Sequence, residues 1–453
     1  MNLQLENFLQ IVFAFGLVLT VAHASGRLIQ FIGQPKVVGE MVAGVLLGPS
    51  LFGLVAPEWS AATFGPDVKS AIFMLSQIGL AGFMFLVGCE LDMGLFNKKS
   101  LRRAATLSLT GIIPSMIIGG ICGAVFFQQL ATGSRAIGVW EFAFFMGSAL
   151  SITAFPMLAR ILEENGLAAA PVGVLSILAA SIDDALAWCL LALIIALARA
   201  ESLVSGFLPI LGAMAFFAAC FFILRPLLTI VARKAEARGF LNQEEFALVL
   251  VLLLAAIWVT DRIGIYSVFG GFALGVCMPR SAVLLRDIRA HMYQFVVVFF
   301  LPLFFVNSGL NTNMASLFSA NLFVPFLVIL FASFITKYVF CTAAMRAIGF
   351  SWRESSAIGG LFNARGLILL IFGNIGVAHG LIDGNVFTML TLVAILTTAA
   401  AMPIFRLSLD RSMLTAPPEA RRAATPDEPE MSELAPAMRR RFKSDATTRA
   451  ASS

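Results

Sequence analysis

The 453-residue sequence predicts an all-α polytopic membrane protein with about thirteen transmembrane helices, organised as an inverted repeat around two crossed, discontinuous helices. Three observations predict this. The composition is 59% hydrophobic and only 13% charged, with a mean hydropathy of +0.91, whereas a soluble domain carries about a quarter charged residues. The apolar residues gather into long runs with short connections, and lipid offers backbone groups no partners, so those runs must be helical. Two of the runs are interrupted at matching places in the two halves of the chain.

The thirteen runs lie at approximately 8–32, 37–56, 68–91, 104–130, 139–162, 171–198, 202–232, 244–260, 264–279, 291–310, 318–345, 354–379 and 385–407. About 20 apolar residues suffice to cross roughly 30 Å of hydrocarbon. The first run is too long for a cleavable signal peptide and begins after Glu6, so none is expected. The six cysteines (89, 122, 189, 220, 277 and 341) show no CxxC and read as packing residues. The histidines (23, 291 and 379) show no metal-ligand spacing. After residue 408 the composition turns to Ala, Pro, Arg, Glu and Ser, which predicts a disordered cytoplasmic tail over 408–453. The expected organisation is a membrane domain over 1–407, with repeats of about 8–198 and 244–407 joined by a linker helix at 202–232.

Loop charges give the orientation. Loops after odd-numbered runs hold Arg27, Lys36, Lys98, Lys99, Arg102, Arg103, Arg160, Arg225, Arg233, Lys234, Arg238, Arg280, Arg286, Arg289, Arg346 and Arg353. The other side holds Lys69, Arg135, Arg199 and Arg262. The bias places the N-terminus outside and the C-terminus in the cytoplasm. It also accounts for a pI near 9.0 without a nucleic-acid partner.

The fifth run reads FMGSALSITAFPMLARIL, with Ser148, Ser151, Thr153 and Pro156 in place of leucines. The twelfth reads AIGGLFNARGLILLIFGNIG, with Gly359, Gly360, Asn363, Arg365 and Gly366. Seven runs apart, they cross the membrane in opposite directions. Broken helices at matching positions of inverted halves mark the midplane site of a secondary transporter, although Pro and Gly are also common in ordinary membrane helices.

Few ionisable residues lie well inside the runs: Glu40, Asp183, Asp184, Lys337 and Arg365. A carboxylate at that depth costs about 2.5–3.5 kcal/mol on insertion scales, so Asp183 and Asp184 need pairing, water or a cation. Runs six and eleven flank the crossed helices, which puts Lys337 within reach of the pair. Adjacent helical residues point about 100° apart, so one aspartate can meet Lys337 while the other faces a cavity. Two carboxylates and one ammonium leave one negative charge, which takes a proton or a small monovalent cation but not both. Mutually exclusive occupancy with alternating access yields exchange. The competing reading is a buried structural salt bridge. Ser151 and Thr153 lie in one break and Asn363 and Arg365 in the other, where unwound carbonyls and hydroxyls can complete a cation's oxygen shell. For Arg365, capping the last carbonyls of a half-helix is the favoured role. Glu40 stands near the cytoplasmic entrance of run two, where funnelling cations, on the one hand, and capping or pairing with Lys36, on the other, are equal alternatives.

The segments SALSITAFPMLARIL, SIDDALAW, GGFALGVCMPR and NARGLILLIFGNIG, with the early GEMVAGVLLGPSLFG, resemble the second cation:proton antiporter superfamily. The likeness is closest to its sodium/hydrogen exchanger and plant cation/H+ exchanger-like branches and covers residues 7 to 407. The resemblance implies a homodimer, a panel domain at its interface and a core domain moving as an elevator. It implies Asp184 as the main cation and proton carboxylate, Asp183 as the partner of Lys337, and Thr153 beside the ion. Kef-type members carry a cytoplasmic nucleotide-binding domain that a tail of this length does not supply. The Asp-Asp pair, where many electroneutral relatives have Asn-Asp, is the pattern associated with electrogenic exchange. The expected activity is monovalent cation (Na+ or K+)/proton antiport in the cytoplasmic membrane, with membrane lipid around it and no cofactor. The alternatives are a sodium-coupled organic-anion symporter and an ion channel. An enzyme is not expected, since no Ser-His-Asp set, phosphate loop or metal cluster appears.

Overall fold

The computed structural model describes residues 2–90, 98–131, 137–165, 167, 170–199, 203–263, 267–318 and 320–408. The tail expected to be disordered lies outside the described residues. Among the described residues, each of the thirteen apolar runs contains a helix. The helices are α1 (Asn2–Phe31), α2 (Lys36–Leu47), α3 (Pro66–Glu90), α4 (Lys98–Val125), α5a (Val139–Ser151), α5b (Phe155–Glu164) and α6 (Pro171–Arg199). There follow α7 (Leu203–Ala219 and Arg225–Arg238), α8 (Gln243–Ile263), α9 (Ser267–Cys277), α10 (Ala282–Phe295 and Leu301–Leu310), α11 (Ala320–Ile348), α12a (Trp352–Leu361), α12b (Leu367–Ala378) and α13 (Gly384–Ser408). Among the described residues, ten stretches are long and apolar enough to cross a membrane. The three other runs are the short α9 and the two broken helices, so thirteen full-length spans are not what length alone supports. The chain is a multi-pass membrane protein.

The departures from simple helices have local causes. Pro156 has no N–H to bond the Ile152 carbonyl, and α5 opens at residues 152–154, where Ile152 is extended. The wide turns Cys220–Leu224 in α7 and Val296–Phe300 in α10 lead into Pro226 and Pro302. A π-type turn there takes up the missing donor without breaking the rod. Several helices outrun their apolar stretches, two of them with a clear local cause. α10 begins at Ala282 rather than 291, because Ser281 caps it by accepting from the Leu284 N–H at 3.3 Å. α7 continues to Arg238 and stops at Gly239, whose φ of +83° is the left-handed C-terminal conformation suited to glycine.

The helices pack as two sets. α1–α3 associate with α8–α10, and α4–α6 with α11–α13, while α7 runs between them. The first set is held by bare backbone contacts that repeat across the halves. Gly44 of α2 meets the Phe305 carbonyl of α10, and a Cβ on Gly44 would lie 2.5 Å from that oxygen. In the inverted arrangement, Gly271 of α9 meets the Ala81 carbonyl of α3. Small residues allow this approach where lipid gives no hydrophobic drive to helix association.

Candidate ion-binding site

The second set surrounds the place where the two breaks meet. The Ala154 N–H donates to the Ala364 carbonyl at 3.0 Å, and the Thr153 hydroxyl donates to the Phe362 carbonyl at 3.0 Å. The crossing is thus a hydrogen-bonded junction of two unwound segments. Each segment supplies backbone groups that no helix satisfies.

Side chains cap the half-helix ends according to their dipoles. α5a ends in carbonyls, the negative end, and two cations serve it. Lys337 of α11 donates to the Ser151 carbonyl, and Arg365 from the α12 break donates to the Leu150 carbonyl. Arg365 also donates to the Ser333 carbonyl at 3.0 Å. α5b begins with free N–H groups, the positive end, and Asp184 serves it by accepting from the Phe155 N–H at 3.2 Å. Each charge therefore sits at the end that favours its sign.

The two aspartates differ in their partners. Asp183 pairs with Lys337 at 3.3 Å, both side chains being fully buried. The Ser108 and Thr153 hydroxyls lie beside the Asp183 carboxylate. Asp184 is equally buried, yet its only bond among the described residues is the Phe155 N–H; its Oδ2 has no partner, as is true of Asp183 Oδ1, but no cation stands on Asp184 among the described residues. The chemistry available to the Asp184 Oδ2 is to accept a proton or to ligate a small cation.

Of the other predicted residues, Ser151 and Asn363 lie at the crossing and Glu40 lies apart from it. The Ser151 hydroxyl turns back to the Ser148 carbonyl at 2.9 Å, so Ser151 serves the crossing through its backbone. Asn363 donates to the Gly359 carbonyl at 3.2 Å and leaves its Oδ1 buried without a partner. Glu40 does not join the crossing. It pairs with Lys36 at 3.5 Å and lines a cavity of about 90 Å³ between the two helix sets. Glu90 and Arg289, which form a 2.9 Å ion pair, line the same cavity. Ala154, Met157 and Leu367, beside the two breaks, line it where it meets the crossing. Beyond the crossing the sets touch again. There Asn374 donates to the Ser308 hydroxyl at 3.3 Å, and the Asn313 N–H donates to the Thr388 hydroxyl at 3.1 Å. Among the described residues the cavity thus reaches the crossing from the Glu40 side, and the two sets are in contact on the Ser308 side.

The charge arithmetic changes in one respect. Counting Lys337 alone leaves a net negative charge, but Arg365 is buried in the same crossing. Two carboxylates and two cations are thus buried around the crossing, and both cations donate to backbone carbonyls. The Leu150 and Ser151 carbonyls, the Phe155 N–H, Ser108, Ser333 and Thr398 are participants that the sequence did not single out. Thr398, in α13, accepts from the Arg365 N–H at 3.0 Å and donates to the Arg365 carbonyl at 2.5 Å.

Crossed broken helices with charges at their ends define a secondary transporter of the inverted-repeat kind. The chain belongs to the sodium/hydrogen exchanger family, whose transmembrane-region model matches residues 16–407. It is 34% identical over 387 residues to the Na(+)/H(+) antiporter NhaS4 of Synechocystis sp., covering 85% of this chain and 94% of that one. It is 33% identical to Cation/H(+) antiporter 17 of Arabidopsis thaliana and 29% identical to K(+)/H(+) antiporter 1 of Saccharomyces cerevisiae. The shared regions cover 86% and 83% of this chain but 47% and 43% of those relatives, so the chain spans less than half of their length. Among solved structures, the sodium proton antiporter MjNhaP1 from Methanocaldococcus jannaschii at pH 8 superposes with a TM-score of 0.63. The match covers 89% of this chain and 99% of that one at 13% identity, and it shows that the fold is shared.

Proposed function

We propose that the protein exchanges a monovalent cation, Na+ or K+, for protons across the cytoplasmic membrane by alternating access, with Asp184 as the carboxylate that both ligands compete for. The observation that carries this reading is a fully buried aspartate at the crossing of two broken helices that keeps an unpartnered oxygen and, unlike Asp183, has no cation partner among the described residues. Thr153 and the Ser151 backbone lend oxygens nearby, Asp183 is held by Lys337, and Asn363 and Arg365 support the crossing. Glu40 stands at the entrance.

The loop charges support an external N-terminus and a cytoplasmic C-terminus, which makes the open cavity cytoplasmic and the conformation inward-facing. On this reading residues 1–407 form the transporter domain. α1–α3 with α8–α10 are a panel that holds a homodimer interface among membrane lipids, α4–α6 with α11–α13 are the moving core, and α7 links them. The tail from 408 is a cytoplasmic appendage.

The test is transport in proteoliposomes or everted vesicles carrying a pH-sensitive dye, challenged with Na+, K+, Li+ and choline. Dequenching by one or more small cations but not choline, lost in Asp184→Asn, supports the proposal and names the ion. Silence from pH 6 to 9 would overturn it and turn attention to sodium-dependent uptake of organic anions.

A further inference from the structure

One residue of the crossing is tied down twice by a helix that contributes no charge. Thr398 of α13 is fully buried, and its hydroxyl makes hydrogen bonds to both the N–H and the carbonyl of Arg365. Its neighbour Thr397 behaves as threonines usually do in membrane helices, returning its hydroxyl to the Val393 carbonyl of its own turn at 2.7 Å. Thr398 instead forgoes its own helix to reach the break in α12. In the inverted repeat α13 is the counterpart of α6, and α12 of α5. The Asp184 carboxylate of α6 takes the Phe155 N–H at the α5 break, and the Thr398 hydroxyl of α13 takes the Arg365 N–H at the α12 break. The two positions do the same backbone work, one with a charge and one without.

The consequence lies in where Arg365 points. Its guanidinium reaches the Leu150 and Ser333 carbonyls, while its Nε has no partner. It stands next in sequence to Ala364, whose carbonyl takes the Ala154 N–H, and Ala154 precedes Phe155, the partner of Asp184. A mobile guanidinium at this spot has an attractive alternative in the unpartnered carboxylate oxygens of the crossing, above all Oδ2 of Asp184, since Asp183 already has Lys337. A bidentate arginine–carboxylate pair is among the strongest interactions a protein makes, and it would occupy the oxygen the transported cation needs.

We propose that Thr398 is a positioning residue that pins the backbone of Arg365, and so keeps its guanidinium on the Leu150 carbonyl and off Asp184. The transport consequence rests on the antiport reading above, whereas the pinning does not.

Two measurements on the full chain separate these parts. In proteoliposomes, Thr398→Val keeps the side-chain shape and removes the hydroxyl. The expected result is an apparent KM for the driving cation raised about tenfold or more, the scale of one charge-assisted hydrogen bond from a competitor for Asp184, with a smaller change in maximal rate per folded molecule. Thr398→Ser should restore the wild-type KM. Hydrogen–deuterium exchange over residues 362–367 should be faster in Thr398→Val than in wild type and normal in Thr398→Ser, whatever the transported ion. If Thr398→Val is not recovered folded, Thr398→Ala is read in the same way. Unchanged exchange protection overturns the pinning even if no cation is transported at all. Lost protection with an unchanged KM overturns the role at Asp184, as does a serine variant that behaves like valine.

Discussion

Lys337→Met tests the electrostatics of the crossing most directly, because it removes the ammonium and keeps most of the aliphatic stem. In the native protein that ammonium serves two groups, Asp183 and the Ser151 carbonyl, both fully buried. Breaking one side of a buried pair costs about 3–5 kcal/mol, since the partner is left charged in a dry site. Asp183 can escape by taking up a proton, which bounds the loss. Holding a carboxyl of ordinary pKa near 3.9 protonated at pH 7 costs about 1.4 kcal/mol for each of roughly three pH units, or about 4 kcal/mol. The abandoned Ser151 carbonyl adds about 1–3 kcal/mol. The first part must shrink by about 1.4 kcal/mol per unit as pH falls, and the second must not. Thermal unfolding of the purified protein at pH 5, 6, 7 and 8 should therefore show a deficit that narrows on acidification. Adding Asp183→Asn to Lys337→Met should flatten that pH dependence, because the charge that created it is gone. A deficit that is absent, or the same at every pH, would refute the pairing of Asp183 with Lys337 as the reason the lysine is there.

Other perturbations follow from the same geometry. Asp184→Asn should abolish exchange while leaving expression and melting temperature close to wild type, and retained exchange would remove Asp184 from its role. Gly88→Val places a Cβ 2.5 Å from the Phe272 carbonyl, a backbone atom that cannot turn aside. It should cost about 1–3 kcal/mol by prising α3 from α9, read as a lower melting temperature. Truncation after residue 408 should preserve vesicle transport. Ser308→Cys lies on the side where the two sets are in contact, and an impermeant thiol reagent added outside should modify it faster when a driving cation is supplied. Equal labelling with and without the cation would count against a moving core.

Much of the architecture was legible because membranes limit the options. A few charges in long apolar runs had to find each other, so Asp183, Asp184 and Lys337 pointed to one locus, and Pro156 and the α12 glycines marked the breaks. The crossing's backbone was not legible. Nothing in the composition of α5a says that the Leu150 and Ser151 carbonyls would each take a separate cation, since any helix end offers the same groups. Hydroxyls were harder still. Ser176, Ser181, Thr391 and Thr397 all bond a carbonyl one turn back in their own helices. Thr398 has the same local sequence character and a different job. Only its direction, about 100° around the helix from Thr397, distinguishes it. Glu40 was assigned two alternatives, and the structure allows both at once: it pairs with Lys36 and it lines the cavity.

The division of charge between the halves explains why a repeated fold builds a single site. Both aspartates of the crossing come from the first half, in α6, and both cations come from the second, in α11 and the α12 break. Each half alone would bury like charges without counter-ions, at several kcal/mol per ion, so the crossing can be dry only when the halves meet. A strictly symmetric repeat would place an acid at each break and an equal claim on protons at each. Here the second break is closed by a neutral hydroxyl, its guanidinium is committed to carbonyls, and Asp183 is matched with Lys337. Both aspartates keep one unpartnered oxygen, but among the described residues only Asp184 has no cation beside its carboxylate, and competition between cation and proton requires a site that cannot hold both.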